Sequence, residues 1–145
     1  MKWILVALAL VVVLVAVVVA IGARLPREHV ASRTLRVRRT PQEIWPILIQ
    51  TTAASSVPVD VVEQIAPRRM VTRVRETEKM FGGTWTCVIA PVPEGSTLTI
   101  TEDGWVANPI FRFMSRMVIG HHATMDGMLK QVAKRLNSEP ALSGE

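Results

Sequence analysis

The spacing of apolar positions changes character along the chain, and each change predicts an element. Residues Trp3 to Ile21 carry no charge and no polar side chain. At about 1.5 Å per residue that run spans roughly 29 Å, close to the hydrocarbon core of a bilayer. Val30 to Arg39 alternates, with Leu35 and Val37 facing in and Thr34, Arg36 and Arg38 facing out, as a strand does. Val57 to Ile65 and Arg68 to Thr77 read as two more strands meeting around Ala66-Pro67. The clearest alternation places Trp85, Cys87 and Ile89 on one parity. After the Pro93-Glu94-Gly95-Ser96 turn, Leu98 and Ile100 share another, so the segment predicts a hairpin with one buried face. The period then lengthens. Ile110, Met114, Met117, Val118, His121, Met125, Met128, Leu129 and Val132 recur at three and four, which predicts a long helix with one apolar stripe. Arg112 and Lys130 fall off that stripe.

Between the first two strands, Thr40-Pro41-Gln42-Glu43 combines a helix cap, a proline suited to the first helical position and a capping-box acid. The helix it opens, with Ile44, Trp45, Ile47, Leu48 and Ile49, should be short, because Pro46 lacks the N–H of a second turn. Gln50 to Ser56 (QTTAASS) reads as a loop. The resulting fold class is α+β: a curved antiparallel sheet of about five strands, packed on a long C-terminal helix and preceded by a single transmembrane helix. The expected segments are an anchor over 1–23, a linker over 24–29, the folded domain over 30–136 and a flexible tail over 137–145.

Composition adds location. The apolar run is longer than the core of a usual signal peptide, about 7–15 residues, so a retained single-pass anchor is the expectation over a cleaved signal. Arg24, Arg27, Arg33, Arg36, Arg38 and Arg39 follow it against one acid, Glu28, whereas only Lys2 precedes it. The positive-inside rule then puts the domain in the cytoplasm. The net charge of +5 does not argue for nucleic acid. Its arginines interleave with Leu35 and Val37 in a strand pattern beside the anchor, where a solvated face or anionic headgroups explain them. A lone Cys87 forbids an intrachain disulfide.

Several stretches together resemble a known family. They are the strand Ala31 to Val37 followed by Thr40-Pro41-Gln42-Glu43-Ile44-Trp45, then Ala66-Pro67-Arg68-Arg69-Met70-Val71-Thr72-Arg73, Phe81-Gly82-Gly83-Thr84-Trp85-Thr86, and Ile100-Thr101-Glu102-Asp103-Gly104 with Asn108-Pro109. Over most of Ala31 to Leu136 the chain resembles the START-like, helix-grip superfamily, which includes plant pollen-allergen homologues and polyketide cyclase/dehydrase-type lipid-binding proteins. The resemblance implies a cavity for an apolar ligand between sheet and helix. One departure matters: where the family places a second short helix and two strands, this chain has only QTTAASS. That shortening implies a five-stranded sheet, one unwalled side of the cavity and a new sheet edge at Val57 to Ile65, which a second copy could cover as a homodimer.

The expected lining of such a cavity is Trp85, Cys87, Ile89, Leu98 and Ile100 from the hairpin, with Met114, Met117, His121 and Met125 from the helix. An apolar small molecule or lipid is the expected ligand, with no cofactor. His121, on the stripe four residues from both Met117 and Met125, is the strongest single candidate for chemistry. Glu102, on the parity of Leu98 and Ile100, is its natural acid–base partner. A structural histidine bonded to the sheet is the more ordinary reading, and no nucleophile accompanies the pair. The rival functions are a cyclase, hydratase or isomerase using His121 and Glu102, and an interaction module docking a partner on the open sheet edge. No metal site is expected, since the adjacent His121 and His122 point about 100° apart on a helix. Gly82-Gly83 opens a strand and is no phosphate loop.

Overall fold

The computed structural model describes residues 1–75, 80–120 and 122–144. Its element order is helix α1 (Lys2–Arg24), strand β1 (Glu28–Val37), helix α2 (Pro41–Ala53), strands β2 (Val59–Ile65), β3 (Arg69–Val74), β4 (Phe81–Val92) and β5 (Gly95–Val106), helix α3 (Pro109–Met114), a π-helical stretch (Ser115–Ile119), helix α4 (Ala123–Arg135) and strand β6 (Ala141–Ser143). The strands form one antiparallel sheet in the order β2-β3-β4-β5-β1-β6. The hairpin pairs Cys87 with Ile100 and Ile89 with Leu98, so the alternation in the sequence becomes one inward face. Leu35, Met70, Leu98 and Ile100 from the sheet meet Ile44 and Leu48 of α2 and Met125, Leu129 and Val132 of α4 in a single buried cluster.

Helix α2 begins as its sequence demands. Thr40 Oγ1 accepts from the Glu43 N–H, and the Glu43 carboxylate accepts from the Thr40 N–H at 2.8 Å. That backbone hydrogen bond holds the Glu43 carboxyl below its usual range. The helix does not stop at Pro46. It continues through QTTA to Ala53, because Pro46 sits on its exposed side while Ile44, Trp45, Leu48 and Thr51 anchor the buried side. The 137–145 tail, expected to fray, contributes β6: Leu142 pairs with Leu35 and packs against the core. The sheet thus has six strands. The sequence expectation for β3 ran on to Thr77, which lies outside the described residues.

The single long C-terminal helix is the main correction. It is interrupted at Gly120, whose φ of +80° and ψ of 148° belong to no helix and favour a residue without Cβ. After the break α4 buries Met125, Leu129 and Val132 completely. Before it, the stripe turns outward: Met117 is 64% exposed and Val118 63%. Arg112, expected to be an inexpensive surface position, is instead buried, donating from Nη1 to the Leu25 carbonyl at 2.8 Å and from Nη2 to the Ala107 carbonyl at 3.1 Å.

Truncation should separate the two halves of the stripe. Leu129→Ala should cost about 2–5 kcal/mol, the range for emptying a large core site. Met117→Ala should stay within about 0.5 kcal/mol, as surface changes do. Thermal or denaturant unfolding of the detergent-solubilised chain measures both, and equal losses would place both methionine and leucine in the core.

Candidate functional site

The polar chemistry of the inward face gathers around Glu102. On β5 it lies opposite Trp85 of β4 and Ala31 of β1. One carboxylate oxygen is 2.9 Å from His29 Nε2, and the other accepts from Trp85 Nε1 at 2.9 Å. Both side chains of the imidazole–carboxylate pair are largely enclosed. Parity explains the grouping: His29, Ala31, Arg33 and Leu35 alternate onto the same face of β1 as Glu102 does on β5. The arrangement fixes the direction of the carboxylate and uses both of its oxygens.

A second inward pair ties sheet to helix. Arg33 donates from Nε to Asp126 Oδ1 at 2.7 Å and from Nη2 to Oδ2 at 3.1 Å, a two-pronged contact between β1 and α4. The Arg33 hydrogen bond holds the Asp126 carboxyl below the usual carboxylate range, against an opposing effect of partial burial.

An apolar cavity of about 60 Å³ lies between α2, the β2–β3–β4 end of the sheet and α4, walled by Thr72, Val74, Trp85, Cys87, Thr124 and Met128 among others. At its rim Thr52, Ser55, Val57 and Val59 also line an adjoining open groove of about 400 Å³. The cavity therefore opens sideways, on the side where the sheet is short. Burial pushes the Cys87 thiol up to about 12, so it presents an apolar wall there and no thiolate.

Of the residues expected to line a cavity, the structure brings Trp85 and Cys87 to it. Ile89, Leu98, Ile100 and Met125 are packed solid into the core. Met114 and Met117 are exposed on the segment before Gly120, on the outer side of the molecule. His121 lies outside the described residues. Glu102 does face inward, and the partner the structure gives it is His29. Sequence reasoning did not single out His29, yet its parity with Leu35 was the signal that could have found it. Among the described residues no cluster of three metal-ligating side chains occurs. The edge strand β2 carries a bulge between Val61 and Glu63, and its acids are paired, Asp60 with Arg75 and Glu63 with Arg69.

No family profile and no curated protein matches the sequence. Solved structures do. A conserved protein from Geobacillus kaustophilus is similar with a TM-score of 0.62 at 12% identity, over 79% of this chain and 99% of its own. CalU16 from Micromonospora echinospora is similar with a TM-score of 0.54 at 9% identity, over 79% of this chain and 76% of its own. The di-domain ARO/CYC protein StfQ of the steffimycin biosynthetic pathway gives a TM-score of 0.54 at 12% identity, over 76% of this chain and 52% of its own, so this chain spans about half of it. At such identities the likeness shows the fold alone: α+β, an antiparallel sheet with helices.

The Arg33–Asp126 pair should leave a signature in acid. A depressed carboxyl contributes stability that is fully present above the unfolded-state value, about pH 4, and lost as pH falls through the lower folded value. Asp126→Asn should therefore melt below the parent at neutral pH, with the gap closing on acidification below about pH 4. Thermal unfolding of both proteins across that range is the check, and a gap independent of pH would contradict the assignment.

Proposed function

We propose that this chain is a membrane-anchored, open-sided helix-grip domain that holds an apolar small molecule or a lipid chain. The observation that carries this reading is the apolar cavity running out into the groove between α2 and β2. About 60 Å³ alone is far below the roughly 300–1,000 Å³ of a site for a whole small molecule. It suits the end of a chain, with the rest lying in the groove. Both carboxylate oxygens of Glu102 hold protein partners, and the apolar cavity gives binding more support than acid–base catalysis.

Helix α1 is long and apolar enough to cross a membrane, and its apolar run is exposed rather than packed in a core. A signal sequence shares that length and composition. The packing of Gly22 against Pro109 favours a helix that stays: a Cβ at Gly22 would overlap the Pro109 carbonyl. The arginines following α1 favour a cytoplasmic domain. Edge β2 remains the surface on which a second copy would pair, although its bulge and paired charges blunt it as a template.

Native mass spectrometry of the detergent-extracted chain should show a co-purified apolar species. Val59→Trp, which fills the shared rim, should deplete it while leaving the melting temperature in place. The same spectra report dimer and monomer directly. A chain that carries nothing, or a Val59→Trp variant as fully loaded as the parent, would contradict the binding reading.

A further inference from the structure

The outward half of the C-terminal stripe calls for a cover. Ile110, Phe111, Met114, Met117 and Val118 stand at i, i+1, i+4, i+7 and i+8, one face of a helix, and all are exposed. The opposite face carries the buried Arg112 and the half-buried Phe113 and Ser115. This is the reverse of a soluble surface helix, which turns its apolar side to the core.

What lies beside that face identifies its partner. Helix α3 starts against the last turns of α1, where Val18, Gly22 and Leu25, one face of the chain leaving α1, are less exposed than their neighbours. Gly22 permits the contact, and Arg112 bonds it to the Leu25 carbonyl. The exposed apolar face thus begins at the level where the apolar span of α1 ends. Cations stand at the same level. Arg24 closes α1, and Arg27 and Arg116 line one small crevice with Leu25 and Pro26.

Resting on the reading of α1 as a membrane anchor, we propose that Ile110 to Ile119 is a second membrane element: an interfacial helix that sinks its apolar face into the headgroup–acyl boundary, with Arg24, Arg27 and Arg116 against anionic headgroups. Such helices combine a strong apolar face with flanking cations and sit about 5–10 Å into that boundary. Anionic headgroups contribute about 1 kcal/mol per juxtamembrane Lys or Arg. A docked helix at the foot of a span also fixes the domain against the membrane, where a flexible tether would leave it free to tumble.

The test uses the full chain in vesicles of phosphatidylcholine and phosphatidylserine with brominated acyl chains, which quench a bimane label by contact. Single labels go at Val12→Cys in the span, Met117→Cys and Val118→Cys on the face, and Lys130→Cys on the outer side of α4; buried Cys87 is replaced by Ser in each. Strong quenching is expected at position 12, about half of it or more at 117 and 118 given the shallower depth, and none at 130. Quenching at 12 with labels at 117 and 118 in water overturns the interfacial helix and leaves the anchor standing. Labels at 117 and 118 shielded from water yet unquenched by lipid also overturn it, and point to a second protein surface on that face. No quenching at 12 overturns the anchor and the interfacial helix together.

Discussion

The backbone at Gly120, with its positive φ, decides where the C-terminal apolar stripe points. A straight helix presents one stripe to one surface, and this stripe has two surfaces to serve. Past the break, Met125, Leu129 and Val132 close over the sheet and complete the only large core among the described residues. Before it, a π-helical stretch and α3 turn the same periodic pattern away from the sheet. Short π segments inside helices mark places where register is adjusted for a purpose. Here the adjustment lets α3 dock on α1.

That docking has its own polar core. Arg112 is buried at the junction of α1, the β5–α3 turn and α3, and it satisfies two backbone carbonyls that no helix or strand supplies with a partner. A buried guanidinium is costly unless so bonded, because its charge is removed from water. The pair Arg33–Asp126 does the corresponding work at the other joint, between β1 and α4. Two arginines on inward or buried positions therefore tie both helices of the C-terminal region to the rest of the chain. The cleft between α2 and β2, at the edge of the sheet, is where the apolar cavity opens.

Much of this was legible in the residues. The hairpin from Trp85 to Ile100 and the cap at Thr40 followed from local rules, since strand parity and capping act over a few residues. The edge position of β2 was the expectation drawn from the short QTTAASS stretch before it. Three features were not. Pro46 was given too much weight as a breaker, because helix propensity yields to a buried face formed by Ile44, Trp45 and Leu48. The tail found a strand partner in β1 through Leu142, a long-range contact that three polar-flanked residues do not advertise. The stripe from Ile110 to Val132 was read as one face because periodicity reports which side of a helix is apolar and is silent on what covers it. For the same reason Met114 and Met117 were assigned to the cavity, although they are exposed.

The break itself is the most direct point of attack. Backbone chemical shifts of the isotopically labelled full chain in lipid nanodiscs report helix or its absence residue by residue. The account predicts helical shifts over Pro109 to Ile119 and again over Ala123 to Arg135, separated by a non-helical, positive-φ signature at Gly120. Uninterrupted helical shifts from Ile110 to Val132 would mean one straight helix with one buried stripe, and the division of the stripe at Gly120 would fall.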